Sequence, residues 1–243
     1  MHYEESGRDN DSTIIFVHGA GGNAATWIMQ LRGLARNHHV IALELNGHGN
    51  TPDRSQPNIM TSYLDDIDEI VTKFARPILA GHSMGGALTQ LYALSNPDKL
   101  RGIILIGTGA RLKVAPIIFD MLENNFDAYI EVVGSFMFNE HTNPELIESS
   151  KDEVKKCPAR IIRRDFELCN NFDIMNEVSK IALQTLILVG SNDIMTPVKY
   201  SEYLHSKIPN SCIKRIDSAG HIVMLEQSSQ VNNIINAWMK SLP

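Results

Sequence analysis

Three short stretches of this 243-residue chain carry side chains whose types and settings suit nucleophilic chemistry. Gly81-His82-Ser83-Met84-Gly85 has the form Gly-x-Ser-x-Gly. The apolar run Pro77-Ile78-Leu79-Ala80 precedes it, and a helical pattern through Leu88, Leu91 and Leu94 follows. A strand that reverses into a helix within so few residues forces the residue at the bend into strained geometry. Only tiny neighbours are tolerated there, hence Gly81 and Gly85. The reversal holds the Ser83 hydroxyl clear of the sheet, with the free N–H groups of a helix start behind it. Such a serine attacks a carbonyl once a base takes its proton. Ser218-Ala219-Gly220-His221 offers an imidazole for that step, and Gly190-Ser191-Asn192-Asp193 offers a carboxylate for the other ring nitrogen. A neutral imidazole is required, so activity is expected to climb as pH rises through roughly 6–7.

The elements that must position these groups are written in the apolar pattern. Continuous β-branched runs at 13–17, 40–43, 102–107 and 185–189, with shorter ones at 77–80 and 213–216, read as buried strands. Helical periodicity fills 24–36, 62–74, 198–207 and 228–239. Ser62 is the expected cap of the second helix, with Asp65, Asp66, Asp68 and Glu69 at its favourable end. Strand and helix alternate, which predicts an α/β fold: a mostly parallel sheet with helices on both faces. The alternation breaks after the strand at 102–107, and no strand is evident until 184. Residues 113–183 are therefore expected to form a helical lid inserted into one core domain made of 1–112 and 184–243. Sites in open parallel sheets form outside the carboxyl ends of the strands. That rule gathers the loops at 18–23, 81–86, 190–196 and 218–221.

Competing readings attach to the same residues. Ser83 could be an inert helix-start serine, Asp193 a turn residue capping Thr196 to Val198, and His221 a satisfied loop histidine. Gly19-Ala20-Gly21-Gly22-Asn23-Ala24 satisfies the dinucleotide-binding spacing G-x-G-x-x-[GA], and Glu44 follows at about the right distance. That reading leaves Ser83 and His221 without a role. His18, His48 and His82 read as scaffold, and Asp217 as a weaker rival to Asp193. The run from Lys151 to Lys156 and Arg160, Arg163 and Arg164 read as a solvated helix face, with an inward arginine that binds a substrate carboxylate as the alternative. Cys157, Cys169 and Cys212 are an odd number without C-x-x-C spacing, which fits a reducing cytoplasm better than disulfides or zinc.

Composition narrows the partners. A net charge of −6 argues against nucleic acid and anionic membrane surfaces. No apolar run approaches the roughly 18 residues of a membrane helix, and the polar start lacks the apolar core of a signal peptide. A cytoplasmic location is expected, with no metal and no cofactor.

Gly81-His82-Ser83-Met84-Gly85-Gly86, His18-Gly19, Gly47-His48-Gly49, Gly190-Ser191-Asn192-Asp193 and Ala219-Gly220-His221 together resemble the α/β-hydrolase superfamily, and within it the small, lidded carboxylesterase-like members. The resemblance runs from about Thr13 to the C-terminus. It implies a triad of Ser83, Asp193 and His221 and an oxyanion hole from the backbone N–H groups of Ala20 and Met84. Members often have more strand before the His-Gly loop. Here only a stub near 2–5 is present, so a shortened first sheet edge is expected. Phe119, Phe136, Phe138 and Phe166 are the aromatic residues of the lid expected to wall a pocket. The implied activity is serine hydrolysis of small, fairly apolar carboxylic esters, with only the ester and water as partners. Lactone, amide or C–C cleavage on the same triad stays open, as does a small-molecule receptor with vestigial turnover.

Overall fold

The structure is a computed structural model and describes residues 1–242; residue 243, the last of the expected core domain, lies outside them. The chain runs β1 (His2–Ser6), β2 (Thr13–Val17), α1 (Ile28–Leu34), β3 (His39–Glu44), α2 (Ile59–Val71), β4 (Ile78–His82), α3 (Met84–Ser95) and β5 (Gly102–Ile106). Four helices follow without an intervening strand: α4 (Pro116–Asn124), α5 (Phe126–Phe136), α6 (Pro144–Lys155) and α7 (Ala159–Asn171). Alternation then resumes with β6 (Gln184–Gly190), α8 (Val198–Lys207), β7 (Ser211–Ile216), the short α9 (Val223–Glu226) and α10 (Ser228–Ser241).

The seven strands lie in the order β1-β3-β2-β4-β5-β6-β7, all parallel except β1, which pairs antiparallel with β3. That single short antiparallel strand is the reduced first edge expected from the sequence. Strand residues divide between the faces with period two. Ile15, Val17, Leu79, Ile103 and Leu105 pack with Ile67 of α2, Leu88 of α3 and Leu204 of α8. Ile14, Phe16, Ala80, Ile104 and Ile106 pack with Leu34 of α1 and Ile235 of α10. The five inner strands, β2 to β6, are buried on both sides, which is why they read as continuous apolar runs, while the edge strands β1 and β7 are largely half-buried or exposed.

Helix α2 starts three residues before the expected cap. Asn58, not Ser62, accepts from the Thr61 N–H at 3.2 Å. Ser62 is instead buried, its hydroxyl accepting from Asn46 at 3.0 Å. Asp66 also points inward and accepts from the Asn46 backbone at 2.8 Å, so the acidic run is not a first-turn cluster. The α4–α7 segment has an apolar centre of its own, where Leu122, Tyr129, Ile130 and Val133 meet Cys157, Ile161 and Ile162. Its charged residues are not all solvated. Lys151 is buried and bridges Glu131 at 2.7 Å and Glu148 at 3.0 Å.

Candidate active site

Strand β4 ends at His82 and α3 begins at Met84, so Ser83 alone makes the reversal. Its backbone sits at φ 52° and ψ −115°, a conformation that costs a non-glycine residue about 1–3 kcal/mol. The surroundings over-determine it. The Ser83 N–H donates to Ile106 at 3.0 Å. Its carbonyl accepts from Gly86 at 3.0 Å, Ala87 at 3.1 Å and the Thr108 hydroxyl at 2.9 Å. A Cβ on Gly81 would stand 2.1 Å from the Gly85 carbonyl oxygen, and one on Gly85 would stand 2.3 Å from that of Val17. The elbow closes only with glycine at both places.

Asp193 and His221 meet at the ends of β6 and β7. His221 Nδ1 donates to Asp193 Oδ2 at 2.9 Å, and both side chains are buried. The carboxylate also accepts from the N–H groups of Met195 at 2.9 Å and Thr196 at 2.8 Å, and from the Thr196 hydroxyl at 2.7 Å. Asp193 thus caps its own turn and bonds the imidazole with the same carboxylate. Burial alone would raise its pKa, but His221 and the Thr196 donors hold it below the usual carboxylate range. With Nδ1 committed, Nε2 is the nitrogen left for proton transfer. The His221 ring lies 4.5 Å from that of His82, whose Nε2 donates to the His221 carbonyl at 3.0 Å. Burial, then the adjacent imidazole, pushes the His82 pKa well down, so His82 is a neutral prop.

Ser83 and His221 border the same cavity of about 670 Å³, and both also border a second of about 50 Å³. Among the described residues the Ser83 hydroxyl makes no hydrogen bond, so Ser83 and His221 meet here by the shared cavity and not by a bond. The β2–α1 loop lies directly alongside, a Cβ on Gly19 standing 3.3 Å from the Ser83 Cβ. Ala20 lines the large cavity, and Met84 opens α3. Among the described residues neither backbone N–H has an acceptor. The site therefore offers a strained serine, an imidazole backed by a buried carboxylate, and two free donors, a set suited to acyl transfer.

Of the four phenylalanines expected at a pocket wall, Phe136, Phe138 and Phe166 line the large cavity and Phe119 does not. Ile117, Ile118 and Met121 are the α4 residues that line it, and Phe119 is turned about 100° from Ile118 around the helix, away from the wall. The arginines of α7 stay outside as well. Arg160 and Arg164 pair with Asp53, and Arg163 with Glu167. Among the described residues Lys113 and Glu153 are the only permanently charged ones in the lining, and each has a partner. Lys113 donates to the Asn170 carbonyl at 2.7 Å, and Glu153 pairs with Lys156 at 2.6 Å.

The side chains behind the other readings have surroundings of their own. Glu44 accepts from the Asn50 N–H at 2.6 Å and from His2 at 2.8 Å, a structural tie rather than a ribose contact. Asp217 is exposed at the end of β7. Burial pushes the Cys157 thiol up to about 12 and the Cys169 thiol higher, which leaves neither nucleophilic. Among the described residues no cluster of ligands suits a metal, and no helix is long and apolar enough to cross a membrane.

Two carboxylates that sequence reasoning passed over hold the site's loops. Asp165 on α7, fully buried, accepts from the Gly21 N–H at 2.9 Å, from His48 Nε2 at 2.8 Å and from the Tyr63 hydroxyl at 2.5 Å. Glu226 accepts from the N–H groups of Gly220 at 2.8 Å and Asn139 at 2.7 Å. Asp165 had a signal: it falls on the helix face shared by Ile161, Ile162, Leu168 and Cys169, where a lone carboxylate is out of place.

The likeness to known proteins runs the full length of the chain. A proline iminopeptidase, PfmaB of Pestalotiopsis fici, is 25% identical over 99% of this chain and 96% of its own. The solved structure of a thermophilic esterase superposes with a TM-score of 0.87 at 28% identity, covering 99% of both chains. The enol-lactonase of Burkholderia xenovorans LB400 superposes at 0.91 with 19% identity, covering 99% of this chain and 96% of that one, a likeness of fold alone. Residues 8–228 match the family model described as serine aminopeptidase, S33, and the chain belongs to that family of α/β-fold hydrolases.

Proposed function

We propose that the protein hydrolyses small, neutral, fairly apolar carboxylic esters through an acyl-enzyme on Ser83. His221 Nε2 takes the hydroxyl proton as Ser83 Oγ attacks the carbonyl. Asp193 steadies the imidazolium through Nδ1, and the Ala20 and Met84 N–H groups receive the oxyanion. The alcohol leaves with the proton from His221, and water repeats the sequence to release the acid. The observation that carries this reading is the shared cavity: a serine in a left-handed elbow and an imidazole already bonded to a buried carboxylate border one space. The ester preference rests on what lines that space. It is walled mainly by aliphatic and aromatic side chains, its one cation, Lys113, is exposed and turned to the Asn170 carbonyl, and Glu153 would repel an anionic substrate. In this reading the α4–α7 segment acts as a lid that supplies most of the wall.

A second reading, cleavage of an amide next to a free amino group, has one observation in its favour. Glu153 lies in the wall, where a carboxylate could face an ammonium. Fluorophosphonate labelling with peptide mapping, run beside a p-nitrophenyl ester series and aminoacyl p-nitroanilides, tests both. Labelling at Ser83 with faster ester turnover is the expected result. Ser83→Ala should lose on the order of 10⁶ in kcat. Retention of a tenth of the ester activity by that variant would overturn the assignment.

A further inference from the structure

The Asp165 carboxylate has no part in the steps above, yet it reaches from the helical segment to the loop that carries the Ala20 N–H. The loop's geometry explains why that contact matters. Gly22 donates to the Gly19 carbonyl at 3.1 Å, which closes a four-residue turn with Ala20 and Gly21 at its centre. Gly21 has φ 66°, while Ala20 is not among the residues of positive φ. A negative φ followed by a positive one defines a type II turn. Such a turn converts to type I by flipping its central peptide, and that peptide's N–H belongs to Gly21. Asp165 Oδ2 accepts from it at 2.9 Å. A flip would turn the Ala20 carbonyl oxygen onto a buried carboxylate and forfeit a charge-assisted hydrogen bond.

Asp165 is itself held from the opposite side. His48 Nε2 donates to Oδ2 and the Tyr63 hydroxyl to Oδ1, both from the core. Ile162, one helical turn before Phe166, comes within 3.0 Å of where a Cβ on Gly21 would stand, so α7 also packs directly on the turn. We propose that Asp165 is a positioning residue: by fixing the Gly19–Gly22 turn it aims the Ala20 N–H beside Ser83, so the oxyanion hole is complete only when α7 is seated. The inference rests on the serine-hydrolase reading and adds to it a group that touches no substrate.

The test compares the wild type with Asp165→Ala and Asp165→Asn by p-nitrophenyl butyrate kinetics and by the rate of fluorophosphonate attack on Ser83. Both reactions place charge in the hole. Asp165→Ala is expected to lose about 30-fold or more in kcat and in labelling rate, with KM within threefold, because the lost interaction serves the transition state. Asp165→Asn keeps an oxygen for the Gly21 N–H but no charge, and should fall between the two. Lys151→Met removes a buried cation within the helical segment, away from the turn. It should lower Tm and leave kcat unchanged, the pattern of a purely structural loss. A folded Asp165→Ala with kcat within threefold of wild type overturns the proposal. If that variant does not fold, Asp165→Asn decides: a kcat loss of threefold or more supports the proposal and a smaller one overturns it. Wild-type protein that fluorophosphonate does not label at Ser83 defeats the hydrolase reading itself, an outcome distinct from equal labelling of wild type and variant.

Discussion

The backbone N–H of His221 donates to the carbonyl oxygen of Met137 at 2.8 Å, and the Ile222 N–H joins it at 3.2 Å. The loop that carries the imidazole is therefore hydrogen-bonded to the turn that follows α5. Glu226 locks the same junction. Its Oε2 takes the Gly220 N–H, and its Oε1 takes the Asn139 N–H and the Thr142 hydroxyl. Glu226→Ala strands three donors at a partly buried seam. The expected cost is about 2–3 kcal/mol, or roughly 5–10 °C in Tm, with a drop in kcat as His221 loses its anchor. Glu226→Gln keeps one oxygen for these donors and should recover part of both. Thermal melts and ester kinetics on the two variants check this; a Glu226→Ala protein with unchanged Tm contradicts it.

Gly220 marks the same seam from the other side. A Cβ there would stand 2.8 Å from the Asn139 nitrogen and 2.9 Å from the Met137 carbonyl oxygen, both backbone atoms that cannot swing aside. Gly220→Ala should push the 137–139 strand of backbone off the His221 loop. A loss of about 1–3 kcal/mol is expected, together with an activity loss larger than unfolding alone explains. Activity measured at a temperature where the variant is fully folded separates the two effects.

Acid should unfold the protein in two overlapping ranges. Burial, reinforced by His48, lowers the His18 pKa from 6.5 to about 3, so His18 is neutral in the fold and titrates normally when unfolded. Between those values the unfolded chain binds the extra proton. Stability is full above about 6.5 and falls by about 1.4 kcal/mol per pH unit below it for that one group. Asp193 and Asp165 act lower down. For each, burial pushes the pKa up, but partners more than offset it, His221 and Thr196 in one case and His48, Tyr63 and Gly21 in the other. Carboxylates depressed in the fold stabilise it above the ordinary carboxylate range and lose that contribution as pH falls through the folded value. Tm measured from pH 8 down to 3 should decline from about 6.5, then more steeply below 4. His18→Asn should make the first part shallower, leaving the share that His82, also held neutral by burial, supplies, and should not change the second.

Much of this architecture was legible because burial on both faces forces strands into continuous apolar runs. The strand at 185–189 and the helix at 198–207 emerge within a residue of β6 and at the bounds of α8. The elbow was legible for a different reason, since two backbone approaches of little more than 2 Å admit only glycine beside Ser83. What stayed hidden is long-range and polar. Nothing local tells that Asn58 caps α2 in place of Ser62, because Ser62 is recruited by Asn46, which precedes the helix in the chain. Phe119 looked like a wall residue because composition counts aromatics without saying which side of α4 they occupy. Asp165 and Glu226 act on loops more than eighty residues away from them on at least one side, and no spacing rule reaches that far.

The cavity's charge inventory makes a sharp prediction about substrates. Lys113 is turned to the Asn170 carbonyl, and the α7 arginines are tied to Asp53 and Glu167 outside the wall. A carboxylate on the acyl chain would enter a mainly apolar space near Glu153, with the one lining cation, Lys113, exposed and turned to the Asn170 carbonyl, and would lose more hydration than it regains. A p-nitrophenyl hemisuccinate should therefore be hydrolysed with kcat/KM at least tenfold below that of the butyrate of equal length, equivalent to about 1.4 kcal/mol or more. Most of the loss should appear in KM, since the penalty falls on entry rather than on the chemical step. Glu153→Gln should narrow the gap by relieving like-charge repulsion, and more so at low ionic strength. If the hemisuccinate proves the better substrate, Lys113 must leave the Asn170 carbonyl to meet it or a second cation must reach the cavity. Lys113→Met separates the two, and Arg164 is the second cation to examine, because its guanidinium already extends to the Asn46 carbonyl and the Tyr63 hydroxyl, one residue from Asp165.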